Sequence, residues 1–425
     1  MKIAIIGGGP IGVEAALYGA SAGLDVTLFE RGRLGENVRS WGYVRLFTEW
    51  SRDRSPLSLR LLRERGDSLA SEDVCPTGDE LATYLQRIVA LPVLRGRIVT
   101  QCEVESITRE GTLKSDGWNN PSRASRPFRL VTRSIGGDRV RLFDAVIDAT
   151  GVYQTPNWAG NGGAPCPGEE RLRGLIDYAI PDVAGRDKGR FWNKHALIVG
   201  AGHSAASTLL AISDLMATSS KTRVTWIVRR DVASTGEVYR LDPNDIASGR
   251  RKLGERANAL VSHPQVDVRF KTTIEAIQKR ANRFQVQLSD GTSVECDTVC
   301  AHTGFRPDEA LWRELQIAPH PATQAASWLL ADHLNAANAR SGVGLSTGYA
   351  EKLEEFQRPE NAGDLDSRAL LKLPEPNFVV LGIKSYGRDA GFLMQNGFRQ
   401  VRDAFQLLTG DHELDLYGAE FSESI

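Results

Sequence analysis

The stretch Met1-Lys-Ile-Ala-Ile-Ile-Gly7-Gly-Gly9-Pro-Ile-Gly12 opens the chain, and a second of the same form stands at Ala196-Leu-Ile-Val-Gly200-Ala-Gly202-His-Ser-Ala205. Each is an apolar, strand-forming run that ends at the spacing G-x-G-x-x-G/A and leads into an amphipathic stretch. The first glycine permits a tight strand-to-helix turn, the second lets backbone approach a pyrophosphate, and the third lets helix pack close to strand. Phosphates held there sit on a helix N-terminus, whose free N–H groups and dipole stabilise negative charge without a lysine. Two such sites in one chain predict two bound nucleotides.

The strand ends distinguish them. In the first copy Ala15, Ala16 and Ala20 keep the helix thin, and the second strand, Asp25-Val-Thr-Leu-Phe-Glu30, ends in an acid 23 positions after Gly7. A carboxylate there binds a ribose hydroxyl pair. In the second copy Ala205 replaces the third glycine, and the strand Arg223-Val-Thr-Trp-Ile-Val-Arg229-Arg230 ends in two arginines. A guanidinium at that place binds a 2′-phosphate in a bidentate way, where an acid repels it. The first site reads as FAD and the second as NADPH; a solvated strand end is the rival reading of the arginines. The candidate ligands are Gly7, Gly9, Gly12, Glu30 and Arg31 in the first copy, and Gly200, Gly202, Ser204, Ala205, Arg229 and Arg230 in the second.

With 425 residues, 41% hydrophobic and 25% charged, the chain has the composition of a globular protein of two or three domains. A net charge of −1 gives no electrostatic case for nucleic acid or an anionic membrane as partner. The seven histidines and five cysteines are scattered, with no Cys-x-x-Cys and no zinc-ligand spacing, so no metal is expected. Cys296 and Cys300 read as core packing, and unpaired cysteines fit a reducing cytoplasm. Lys2, the apolar run and Ala20-Ser-Ala22 mimic a signal peptide, but cleavage there would destroy the nucleotide site. A homodimer is compatible with the sequence.

The two fingerprints head a repeat. Strand-like Glu103–Arg109, Phe128–Arg133 and Arg139–Phe143 follow the first and close on Asp144-Ala-Val-Ile-Asp-Ala-Thr150-Gly151. Val266–Phe270, Thr273–Gln278 and Phe284–Leu288 follow the second and close on Asp297-Thr-Val-Cys-Ala-His-Thr303-Gly304-Phe-Arg-Pro307. Period-two alternation with turn residues between the runs predicts an antiparallel meander in each. On this repeat the whole chain resembles the two-dinucleotide-binding-domain flavoproteins, the superfamily of thioredoxin reductases and flavin-containing monooxygenases. The resemblance implies an α/β protein of two Rossmann-like, three-layer ββα dinucleotide-binding domains, with the FAD domain discontinuous and the NADPH domain inserted. The expected domains are 1–160, the first part of the FAD domain; 161–310, the NAD(P)H domain; and 311–425, the FAD-domain return, with a lid-like insertion at about 311–373.

The resemblance also implies roles for particular residues. Thr150, Gly151, Thr303 and Gly304 match the turns that the superfamily places against the flavin domain or at the domain junction. The return, Asn377-Phe-Val-Val-Leu-Gly382-Ile-Lys384-Ser-Tyr386-Gly387, precedes a helix from about Phe392 whose N-terminus would face the flavin pyrimidine ring. Lys384 and Tyr386 are catalytic candidates there and Phe392 a cofactor contact, against the reading of Lys384, Tyr386 and Arg388 as an ordinary surface loop. Arg39–Trp50 is the most aromatic-rich stretch, and Trp41 and Arg45 lie where the superfamily covers the flavin; aromatic core is the rival reading.

Without Cys-x-x-Cys, dithiol exchange has no redox pair. The linker before the second fingerprint resembles that of flavin-containing monooxygenases, but the signature Phe-x-Gly-x-x-x-His is altered: Leu172 stands for the aromatic, Gly174 is kept, and Tyr178 takes the histidine position. Tyr178 is the remaining catalytic candidate, as a hydrogen-bond donor or simply a half-buried aromatic. The leading expectation is an NADPH-dependent FAD monooxygenase that uses O2 and a C4a-peroxyflavin to oxygenate a small soft nucleophile at N, S or another heteroatom. The alternatives are an NADPH dehydrogenase passing electrons to a quinone, metal or protein acceptor, and a redox-sensing nucleotide-binding protein without turnover.

Overall fold

A computed structural model describes residues 1–117, 120–232, 237–239, 241, 248–341, 366–418 and 421. The chain forms two compact units: Met1–Thr155 with Arg306–Ile425, and Pro156–Phe305. The sequence reading puts each junction a few residues later.

In the first unit β1 (Lys2–Ile6) pairs in parallel with β2 (Asp25–Phe29), and β2 with the short β3 (Ile98–Val99). Helix α1 (Pro10–Ser21) crosses between β1 and β2; Pro10 presets its first turn, and it is buried from Ile11 to Ala20. The antiparallel meander is β4 (Cys102–Arg109), β5 (Phe128–Ser134) and β6 (Gly137–Phe143), after which β7 (Ala145–Asp148) returns to pair with β1.

The second unit repeats the scheme. The parallel sheet is built from β8 (His195–Val199), β9 (Arg223–Val228), β10 (Val266–Phe270) and, after the meander, β14 (Thr298–Ala301), in the order β10-β9-β8-β14. The meander is β11 (Ile274–Arg280), β12 (Arg283–Leu288) and β13 (Ser293–Cys296). Val266–Phe270 was expected in the meander; it is instead the edge of the parallel sheet, in register with Val224–Val228. Alternation alone does not separate a half-covered edge strand from a meander strand. Helix α2 (His203–Met216) follows the second fingerprint.

The FAD-domain return supplies β15 (Phe378–Val380), which pairs with β7 and completes the order β15-β7-β1-β2-β3. Helix α3 (Met394–Thr409) then packs against α1 so closely that a Cβ on Gly397 would stand 2.4 Å from the Ile11 side chain. The lid reading does not hold for the start of the insertion: Trp312, Leu315, Ile317 and Ala326 are buried in the first unit's core with Phe128 and Phe378. A helix follows at Trp328–Ser341. Residues 342–365 of the insertion lie outside the described residues.

Burial leaves one carboxyl in α1 with a pH consequence. Glu14 is 2% exposed, its carboxylate accepts from Tyr417 Oη at 2.9 Å, and burial pushes its pKa up from 4.5 to about 7. The folded state therefore holds a proton that the unfolded chain has lost, so stability falls as pH rises from about 4.5 to about 7 and levels off above. Asp53, also raised to about 7 by burial, acts in the same direction. Glu14→Gln cannot ionise. Relative to the parent it is expected to gain up to ~3 kcal/mol between pH 4.5 and 8, read from denaturation midpoints; parallel pH profiles for the two proteins would refute the assignment.

Candidate cofactor and active site

The first fingerprint is fixed by backbone. Gly7 has φ +104°, and a Cβ there would stand 2.6 Å from the Ala149 carbonyl oxygen; on Gly12 it would stand 1.8 Å from the Gly7 oxygen. Gly9 is the opposite case, with nothing within 4 Å of a Cβ, and as N-cap of α1 it supplies no side-chain cap. The loop thus leaves open space in front of uncapped N–H groups, which is what a pyrophosphate requires. The Glu30 carboxylate accepts from Gly8 N–H at 2.6 Å and Gly32 N–H at 2.7 Å. Each oxygen keeps a lone pair for a ribose hydroxyl, so glycines and acid together fit the adenosine diphosphate half of FAD. Arg31 is exposed, 4.0 Å from Glu103.

The second fingerprint has the same backbone. Gly200 has φ +115° and a Cβ would meet the His302 carbonyl at 2.2 Å, while Gly202 is open and α2 has no side-chain cap. Ala205 is fully buried and Ser204 is half-buried at the helix start. Arg229 and Arg230 are both exposed at the end of β9, but they differ: Arg230 Nη2 donates to the Val238 carbonyl at 2.5 Å, whereas Arg229 has no hydrogen bond or ion pair among the described residues. The site fits a dinucleotide, with Arg229 the freer cation for a 2′-phosphate. Thr303 Oγ1 donates to the Asn157 carbonyl at 2.6 Å, and Gly304, at φ +82°, carries the chain out of β14.

The catalytic candidates are placed less as the sequence suggests. Lys384 is fully buried, and its Nζ lies 2.7 Å from Asp148 Oδ2, 2.8 Å from Thr150 Oγ1 and 4.6 Å from the centre of the Trp312 ring. Asp148 also accepts from Trp312 Nε1 at 2.7 Å and from the Thr150 N–H and hydroxyl. The surface-loop reading of Lys384 therefore fails, and its ammonium is taken up in holding the end of β7 to the return loop. Tyr386 is 6% exposed, accepts from Asn396 Nδ2 at 3.1 Å and stands edge-on to Phe392 at 5.3 Å; burial pushes its hydroxyl up to about 12. Gly151, at φ +71°, is open to a Cβ.

Tyr178 is half-buried and donates its hydroxyl to Glu169 Oε1 at 2.9 Å. Glu169 is fully buried and also accepts from the N–H groups of Ala159, Gly160 and Cys166. The proton that made Tyr178 a donor candidate is thus directed into a loop-closing carboxylate, and burial with that carboxylate drives the phenol far above its usual range. Arg45 is exposed and donates to the Cys75 carbonyl. Trp41 is half-buried, its Nε1 buried with no hydrogen-bond partner among the described residues and its ring 6.2 Å from Tyr153. The sequence reading missed Asp148, Trp312 and Glu169. A polar residue at the end of an apolar strand was the visible signal for Asp148; the other two carried none.

A cavity of about 570 Å³ opens in the first unit beside Trp312, lined among others by Lys114, Arg306, Glu309, Arg313 and Gln324. Its size is in the small-molecule range and its lining carries both signs of charge. Burial raises the Glu309 carboxyl.

The sequence profile of the pyridine nucleotide-disulphide oxidoreductases matches residues 1–324. The chain belongs to this family. It is accordingly an NAD(P)H-dependent flavoprotein oxidoreductase. A comparison with curated proteins finds no match. Among solved structures the chain is similar to the bacillithiol disulfide reductase Bdr of Bacillus cereus, with 16% identity over 96% of this chain and 99% of that one and a TM-score of 0.66. It is also similar to the FAD-bound cadaverine monooxygenase of desferrioxamine biosynthesis from Erwinia amylovora, with 13% identity over 100% and 97% and a TM-score of 0.62. Thioredoxin reductase of Lactococcus lactis follows with 17% identity over 96% and 99% and a TM-score of 0.55. At such identities the likeness is one of fold, shared by disulfide reductases and monooxygenases alike. No helix among the described residues is long and apolar enough to cross a membrane.

Proposed function

We propose that this oxidoreductase is an NADPH-dependent FAD monooxygenase acting on a small soft nucleophile with O2. The observation that carries the reading is the state of the cysteines. All five are free; Cys102, Cys166, Cys296 and Cys300 are buried, and burial raises the thiols of the last three. Cys75, half-buried, is also raised. A dithiol relay needs a paired, low-pKa, accessible thiol, and this chain offers none. FAD, when bound, accepts two electrons from NADPH and delivers them to dioxygen. The protein contributes binding at the two fingerprints, the charge of Arg229 for the 2′-phosphate, and the Asp148–Lys384–Thr150 node that holds the β7 end under the return loop.

Purified protein given NADPH, a candidate amine or sulfide and ¹⁸O₂ is expected to place label in the product. Unlabelled product, or full NADPH-driven reduction of a quinone under nitrogen, turns the assignment to a dehydrogenase. Failure of NADPH to bleach the flavin turns it to a binding protein.

The cofactor preference has its own test. Arg229→Gln is expected to raise the NADPH KM about tenfold or more, the equivalent of one charged hydrogen bond of roughly 1.5–3 kcal/mol, and to leave NADH unchanged. Arg230→Gln is expected to have the smaller effect, since one of its nitrogens already serves Val238. Equal use of NADH and NADPH by the parent protein contradicts the assignment.

A further inference from the structure

The two fingerprints are held in place by opposite chemistry. In the first, the Glu30 carboxylate grips the loop by a donor, Gly8 N–H. In the second, two aromatic side chains grip it by its acceptors: Trp226 Nε1 donates to the Gly200 carbonyl at 2.8 Å, and Tyr239 Oη donates to the Gly202 carbonyl at 3.0 Å. The repeat makes the difference exact by position. Ile5 pairs with Leu28 and Ile198 with Trp226, and the first glycine of each loop bonds the next strand residue, Gly7 N–H to Phe29 O and Gly200 N–H to Ile227 O. Trp226 therefore stands where the first copy has Leu28, whose side chain has no donor. Trp226 is fully buried, Tyr239 is 6% exposed, and their rings stack at 6.1 Å and 22°. The Val238 carbonyl beside Tyr239 is itself held by Arg230.

We propose that Trp226 and Tyr239 are positioning residues for the nicotinamide cofactor, clamping the Gly200–Gly202 loop by its carbonyls so that its N–H groups stay directed at the pyrophosphate. A peptide plane fixed at its oxygen has its N–H direction fixed as well. A clamp made of neutral donors also adds no negative charge near a triphosphorylated ligand, which a carboxylate on the Glu30 plan would do. The inference rests on the reading of this fingerprint as the NADPH site. It differs from the role given to Arg229 in one measurable respect: the pyrophosphate is common to NADPH and NADH, whereas the 2′-phosphate is not.

The test uses the FAD-loaded full chain with ferricyanide as acceptor. Tyr239→Phe keeps the ring and its stack and removes one donor. It is expected to raise KM for NADPH and for NADH by the same factor, about three- to tenfold, the range of one neutral hydrogen bond, with kcat, flavin content and the NADPH/NADH ratio unchanged. Trp226→Phe is expected to do the same through Gly200. KM values for both cofactors within twofold of the parent in Tyr239→Phe, whatever its melting temperature, overturn the proposal. So does an effect confined to NADPH, which would place Tyr239 at the 2′-phosphate. A parent protein that oxidises neither cofactor removes the NADPH reading itself, an outcome visible before any variant is made.

Discussion

Gly9→Val will fold and purify without colour. The structure shows open space around a Cβ at Gly9, with no protein atom within 4 Å of it, so the branch point of the new side chain fits the loop. That space lies in front of the uncapped start of α1, where a pyrophosphate takes its backbone hydrogen bonds. Displacing it forfeits at least two charge-assisted bonds of roughly 1.5–3 kcal/mol each, which is about two to four decades in FAD affinity. The expected protein has no 450 nm absorbance and melts with FAD-stripped parent. Gly12→Val is the contrast, because its Cβ would meet the Gly7 carbonyl oxygen at 1.8 Å and the turn itself cannot form. A yellow Gly9→Val protein with full flavin would sink the assignment of the first fingerprint.

The second large effect is on stability. Glu375 is fully buried and accepts from Arg109 Nε at 2.8 Å, Arg123 Nη2 at 3.1 Å and the Gln316 N–H at 2.8 Å. Arg109 is itself 2% exposed, with its guanidinium carbon 3.6 Å from the centre of the Phe128 ring. One carboxylate thus pairs with two buried guanidinium groups and joins the β4–β5 meander to the segment entering β15. Glu375→Ala leaves both guanidinium groups uncompensated, at an expected cost of ~3–5 kcal/mol. Flavin release during urea unfolding reports on this unit alone, and its midpoint should fall accordingly. An unchanged midpoint would show that the network contributes nothing net.

Two hydrogen-bonded partners explain why the catalytic candidates were harder to read than the nucleotide sites. Lys384 looked like part of a polar functional loop, and nothing within ten residues of it announces Asp148, 236 positions away. Tyr178 was chosen because of the position it fills in a motif, yet its hydroxyl serves Glu169. In both cases composition and spacing locate the residue, while its partner depends on how distant strands and loops stack. The Val266–Phe270 strand went to the wrong sheet for a related reason: pairing partners decide sheet membership, and alternation carries only the exposure of one face.

What the sequence determined by itself was the pair of fingerprints, the order of parts in each repeat and the sign of charge at the two strand ends. These are local properties: a left-handed glycine, a helix start and an acid or arginine closing a strand act within a single β-α-β unit. Tertiary structure alone decided that Asp148 and Trp312 enclose Lys384, that Glu375 stands between Arg109 and Arg123, that Glu169 takes the Tyr178 proton, and that Trp226 and Tyr239 hold the second loop. Each of these is a buried polar group, and burial obliges such a group to find a partner wherever the packed chain presents one, without regard to distance along the sequence.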